Sequence, residues 1–213
     1  MSTAESTRTR LLEAAERLFA ERGVDAVSLR EITRESGAKN AIALQYHFDD
    51  RAGVLQAIFD KHMPEVDARR NAMLDEYEAK GDADLRALAA ALVRPLAAKL
   101  ADADGGPEFL QIYAELLERP QEPAPPADVK HSLQRWRALM EPLLDEDAAR
   151  LHRRFTAILH TTLELGRRAR MRRRADDRLF TSYLIDVVTA ILAAPISPET
   201  RRLADERDAR RKR

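Results

Sequence analysis

The chain has 213 residues, of which 34% are charged, with a net charge of zero, seven glycines and no cysteine. Disulfides, thiolate metal sites and cysteine nucleophiles are therefore excluded, and no apolar run approaches the roughly 18 residues of a membrane span. The high charge and sparse glycine favour a helical, soluble protein of one to two domains; neutrality means that any attraction to nucleic acid must come from a local patch.

Residues 1–6 are polar and expected to be disordered. The amino end also lacks the apolar stretch of a signal peptide, so a cytoplasmic protein is expected. Residues 7–22 read as a helix, with Leu11, Ala15, Leu18 and Phe19 on one face and Gly23 at its end. The stretch VSLREITRESGAKNAIALQYHF, residues 27–48, reads as two short helices around a tight turn. Ser28 is suited to cap the first, and Glu31 three residues on can complete a capping box, with Val27 and Ile32 placed as a hydrophobic staple. Gly37 supplies the positive φ of a helix end. Ile42, Leu44 and Phe48 are apolar positions of the second helix, leaving Gln45, Tyr46 and His47 available to a partner. Such a unit is the outline of a helix-turn-helix, whose second helix enters the DNA major groove; an ordinary helical hairpin has the same outline. Residues 1–59 hold eight cations and nine anions, so DNA binding requires that the acids of the first helix face away from the reading side.

A long helix is expected over residues 49–77, opened by Asp49 and Asp50 and carrying Val54, Leu55 and Ile58. Pro64 predicts either a kink or a break between two helices near residues 61–63. Lys80-Gly81-Asp82 marks a boundary, and residues 84–100 form an Ala/Leu-rich buried helix containing Pro95. Pro107 suits the start of the next helix, residues 109–119. Four prolines in the eight residues 119–126 predict an extended loop. Residues 129–144 are helical, with the single tryptophan, Trp136, expected in the core. Two strong helices follow, residues 147–173 and 177–194. The arginine cluster at 167–174 reads as a second nucleic-acid patch or as a solvated helix end favoured by the helix dipole. Residues 201–213 are a charged tail, expected to fray or be disordered.

His47, His62, His131, His152 and His160 include no i,i+4 pair, and the chain has no phosphate-cradling glycine loop, no G-x-S-x-G and no H-E-x-x-H. No catalytic residues, metal site or cofactor are expected. A helical enzyme, or a protein-interaction module whose helix-turn-helix is not used on DNA, are the other classes to weigh.

Residues 7–59 resemble the DNA-binding domain of the TetR/AcrR family of transcriptional regulators. The resemblance is carried by Leu11, Leu12, Ala14, Ala15, Leu18, Phe19, Gly23, Ser28, Ile32, Gly37, Tyr46-His47-Phe48, Arg51 and Val54-Leu55, in this order and spacing. Between Gly37 and His47 the chain is one residue longer than the commonest family pattern, and Arg51 stands where the family usually has lysine. The resemblance implies an all-α protein of about nine helices. It divides into a three-helix DNA-binding domain (1–60), a helical effector-binding and dimerisation domain (61–200) and the tail (201–213). It implies DNA contacts from Ser28, Lys39, Asn40, Gln45, Tyr46, His47 and Arg51. For the effector pocket the candidates are Met63, Phe109, Tyr113, Trp136 and Met140, whose chemistry suits an apolar or aromatic small molecule. A dimer interface is expected from Phe155, Leu159, Leu163, Phe180, Leu184, Val187, Val188 and Ile191. The implied activity is that of a repressor, binding a palindromic double-stranded operator as a homodimer and released by the effector, with no role for a membrane.

Overall fold

The computed structural model describes residues 3–38, 43–119, 130–171 and 176–211. Among the described residues there are eleven α-helices and no strand, so the fold is all-α. They are α1 (Thr3–Arg22), α2 (Leu29–Glu35), α3 (Ala43–Phe48), α4 (Arg51–Lys80), α5 (Leu85–Ala97), α6 (Gly106–Glu118), α7 (Lys130–Met140), α8 (Glu146–Arg150), α9 (Arg153–Ala169), α10 (Arg178–Ala193) and α11 (Pro198–Arg211). Short 3-10 turns follow α5 and α7. The proline-rich loop expected at 119–126 lies, from residue 120 on, outside the described residues.

The amino-terminal head closes over Leu11, Phe19, Val27, Ile32, Leu44, Phe48, Val54 and Ile58, all buried. Full burial of each is worth about 1.5–3 kcal/mol. That matters because α2 and α3 have only seven and six residues, too short to be helical without tertiary support. α1 begins at Thr3 rather than at residue 7, since the leading residues contain neither glycine nor proline to stop it.

α4 starts where the sequence places it. The Asp50 carboxylate caps it by accepting the Gly53 N–H at 2.9 Å. The helix then runs unbroken through Pro64 to Lys80, where a break was one expectation. It carries one buried stripe across the proline, Ile58, His62, Met63, Val66, Arg70 and Leu74, and packing along that stripe outweighs the one backbone bond that Pro64 removes. α4 therefore straddles position 60, and buried side chains form one continuous cluster from head to body. In the body α6 packs on α9, α5 lies against both α4 and α10, and α1 rests on α6.

Two further expectations are corrected. The helix at 147–173 is two helices, because His152 adopts φ +54° and turns the chain between α8 and α9. The charged tail is helix α11, not disordered over 198–211. Only Ala204 of it is buried, and ion pairs hold it: Arg150 to Asp205 and Asp208 at 2.9 and 3.0 Å, and Arg201 to Asp147 at 2.9 Å.

Candidate nucleic-acid interface

α2 is built by its cap. The Ser28 hydroxyl accepts the Glu31 N–H at 3.2 Å, and Glu31 Oε2 accepts the Ser28 N–H at 2.8 Å, so the capping box is complete. The Ser28 hydroxyl also donates to Glu31 at 2.8 Å. The Ser28 backbone bond first, then its hydroxyl and Arg22, hold the Glu31 carboxyl down at about 2, against an ordinary value of 4.5. A depressed folded value means that the box contributes stability above about pH 4.5 and loses it as pH falls toward 2. A carbon-13 titration of the Glu31 side chain is expected to give a midpoint near 2; a midpoint near 4.5 would show that the box is open in solution.

The turn after α2 uses Gly37 at φ +67°, as the sequence predicts. Lys39 and Asn40, expected at the start of the recognition helix, lie outside the described residues. In α3, Leu44 and Phe48 are buried while Gln45 and Tyr46 point outward. Tyr46 is 81% exposed, which disposes of a packing role against α1, and its ring meets that of His47 edge-on at 5.1 Å. Arg8 lies over the Phe48 ring at 5.2 Å and ties α1 to α3.

Arg51 is engaged within the head. Its guanidinium donates to the Val27 carbonyl at 2.9 Å and to the Val24 carbonyl, clamping the turn between α1 and α2. Two of its five N–H donors are engaged in this way, and its side chain remains 35% exposed. Two cations that sequence reasoning passed over are more exposed. Arg30 and Arg34 are exposed at i,i+4 on α2, and among the described residues no ion pair engages either. The spacing was the available signal. Three of the acids are engaged: Glu35 pairs with Arg17 at 2.7 Å, Glu31 with Arg22 at 3.0 Å, and Glu16 of α1 is buried.

The residues expected to line an effector pocket are all buried. Phe109 and Tyr113 stack at 5.8 Å, both edge-on to Phe59. Trp136 donates its indole N–H to the Leu88 carbonyl at 2.7 Å. Among the described residues the open clefts lie elsewhere, for example between α1 and α6 (about 910 Å³) and between α5 and α10 (about 830 Å³). Of the expected dimer residues, Leu184 and Val188 are buried within the chain itself, because that face of α10 packs on α5. Phe155 is half exposed, and Leu159, Leu163, Phe180, Val187 and Ile191 are partly so. Leu179 and Tyr183, missed in the sequence, are 81% and 66% exposed on the outer face of α10.

Together these features define a helix-turn-helix head whose second helix presents polar and aromatic side chains outward. Residues 11–58 match the model of the tetR family of bacterial regulatory proteins. The chain is 35% identical over 80 residues to the HTH-type transcriptional regulator TtgR, and equally to the probable HTH-type transcriptional regulator ArpR, both of Pseudomonas putida. Each match covers 37% of this chain and 38% of the relative, so the chain spans well under half the length of the curated relatives it matches. The likeness to the tetR family is thus carried by the amino-terminal domain. Among the described residues no single helix is long and apolar enough to cross a membrane.

Proposed function

We propose that the chain is a cytoplasmic, ligand-responsive transcriptional repressor that binds a palindromic operator as a homodimer and leaves it when a small molecule binds. Residues 1–60 serve as the DNA-binding domain and residues 61–200 as the effector and dimerisation domain. The observation that carries this reading is the outer surface of the head. Gln45 and Tyr46 are exposed on α3 and Arg30 and Arg34 on α2, while Glu31 and Glu35 are paired with Arg22 and Arg17. Gln45, Tyr46 and His47 would touch bases or backbone, with Lys39 and Asn40 at the helix start. Arg30 and Arg34 supply phosphate contacts, which position the head and make binding salt-dependent.

Effector binding would part α6 and α7 from α4 around Met63, Phe109, Tyr113, Trp136 and Met140. The shift would reach the head through α4 and through the buried contact of Glu16 on α1 with Lys61 and His62 on α4. Coupling of this kind is a difference in affinity between two states, typically about 1–3 kcal/mol.

Dimerisation would join the outer faces of α9 and α10. Converting Leu179 and Tyr183 together to aspartate is expected to shift the chain to monomer in sedimentation velocity with its helical circular dichroism unchanged, since both side chains are largely exposed in the protomer. Unchanged dimer after this double substitution would move the interface elsewhere.

Selection of binding sites from random duplex DNA tests the function. An inverted repeat is expected, and Tyr46→Ala should weaken binding to it by about 1–3 kcal/mol. Recovery of no sequence at low ionic strength would overturn the reading.

A further inference from the structure

Arg70 lies in the middle of the buried stripe of α4 and is 2% exposed. Burying a guanidinium costs several kcal/mol unless a carboxylate meets its planar fork and its other protons are matched. Arg70 is not met in that way. Its Nη1 donates to the Ser132 hydroxyl at 2.7 Å and its Nε to the Ala91 carbonyl at a long 3.3 Å. Asp67, its one ion-pair partner among the described residues, stands 3.6 Å away, outside hydrogen-bond reach, and already accepts the Ser132 hydroxyl. Burial accordingly pulls the Arg70 pKa below its ordinary value.

The surroundings are apolar. On α7, Ser132 begins a fully buried i,i+4,i+8 row with Trp136 and Met140. On α4, Arg70 lies between buried Val66 and Leu74. On α5 the nearest residue given is short-chained Ala91, whose carbonyl accepts from Arg70 and whose side chain is buried. Among the described residues, a buried cation with no carboxylate within hydrogen-bond reach thus sits among aromatic and aliphatic side chains, on the helix that leads to the head. A partner that satisfied it would have an apolar body and an oxyanion end able to present two oxygens to the fork.

Resting on the reading of the chain as effector-gated, we infer that the effector is an apolar or aromatic organic acid whose oxyanion is received by Arg70 between α4, α5 and α7. Ser132 yields Nη1 to the incoming acid and turns its own donated bond from Asp67 to the acid. Asp67, whose side chain is 19% exposed, can turn toward solvent as the new anion arrives.

The test uses two dyes that differ in one group. 8-Anilinonaphthalene-1-sulfonate is N-phenyl-1-naphthylamine with an added sulfonate, and both fluoresce when buried. Titrated into the full chain, the sulfonate is expected to bind at saturation and about tenfold or more tighter than the neutral dye, as a charge-assisted hydrogen bond implies. Arg70→Met is expected to abolish that advantage while leaving the neutral dye within about twofold. Arg70→Lys keeps the charge but loses the fork; it should fold and show a reduced preference, and it decides the matter if the methionine variant does not fold. Equal binding of the two dyes, or a sulfonate preference unchanged in the Arg70 variants, overturns the acid assignment and leaves the pocket standing. Binding of neither dye removes the pocket itself, and the inference with it.

Discussion

Glu16→Ala is expected to lower the unfolding free energy by about 3–5 kcal/mol, the range for breaking a buried charged contact from one side. Glu16 is 2% exposed, an uncommon state for a carboxylate. Its Oε1 meets His62 Nε2 at 2.8 Å and its Oε2 accepts from Lys61 Nζ at 2.9 Å. His62 is itself buried and stacked on Phe109 of α6 at 4.7 Å, and Lys61 also reaches Asp104 in the loop before α6 at 2.8 Å. One carboxylate therefore fastens α1 to α4 and, through them, to α6. Alanine would leave the buried His62 nitrogen unmatched and a void beside it. Glu16→Gln keeps the volume and one hydrogen bond and should cost less than half as much. Urea unfolding of both variants checks the order. Equal costs would mean that side-chain volume, not the polar contact, holds the junction.

The second large effect is expected at Gly166. A Cβ placed there would lie 2.5 Å from Ala114 Cβ and 3.1 Å from the Leu110 carbonyl oxygen, neither of which is the free end of a flexible chain. α9 and α6 approach each other through this gap. Two effects oppose each other in Gly166→Ala. Alanine gains about 1 kcal/mol of helix propensity over glycine, whereas forcing a methyl into a closed contact costs about 1–3 kcal/mol. With the nearest atoms on a helix backbone and a Cβ, the steric cost wins, and net destabilisation follows. Gly166→Leu should cost about 3 kcal/mol, at the upper end of that range. Thermal melts that rank wild type above alanine above leucine agree with the packing; a more stable alanine variant would show that α9 can slide.

The head was largely legible because its signals are local. Ser28 and Glu31 form a cap by spacing alone, Gly37 marks its own turn, and Asp50 caps α4 from the position expected. What failed to show depends on distant geometry. A cation at residue 51 reads the same whether it faces phosphate or folds back on the carbonyls of Val24 and Val27, which are remote in sequence. Both faces of α10 are apolar, so periodicity could not say that Leu184 and Val188 go inward to α5 while Leu179 and Tyr183 stay outside. α11 has the composition of a fraying end and is held by ion pairs to α8 that no local pattern announces. Arg70 was invisible for a related reason: a charge on a long helix reads as a solvated position until the stripe that contains it is seen to be buried.

Sedimentation equilibrium of the purified chain with its selected duplex tests the central claim most directly, that paired heads about 34–36 Å apart grip successive major grooves. Two chains per duplex are predicted, with the complex weakening steeply as salt rises and failing for the Leu179, Tyr183 double-aspartate variant. A complex of one chain per duplex, or full affinity in that monomeric variant, would contradict it.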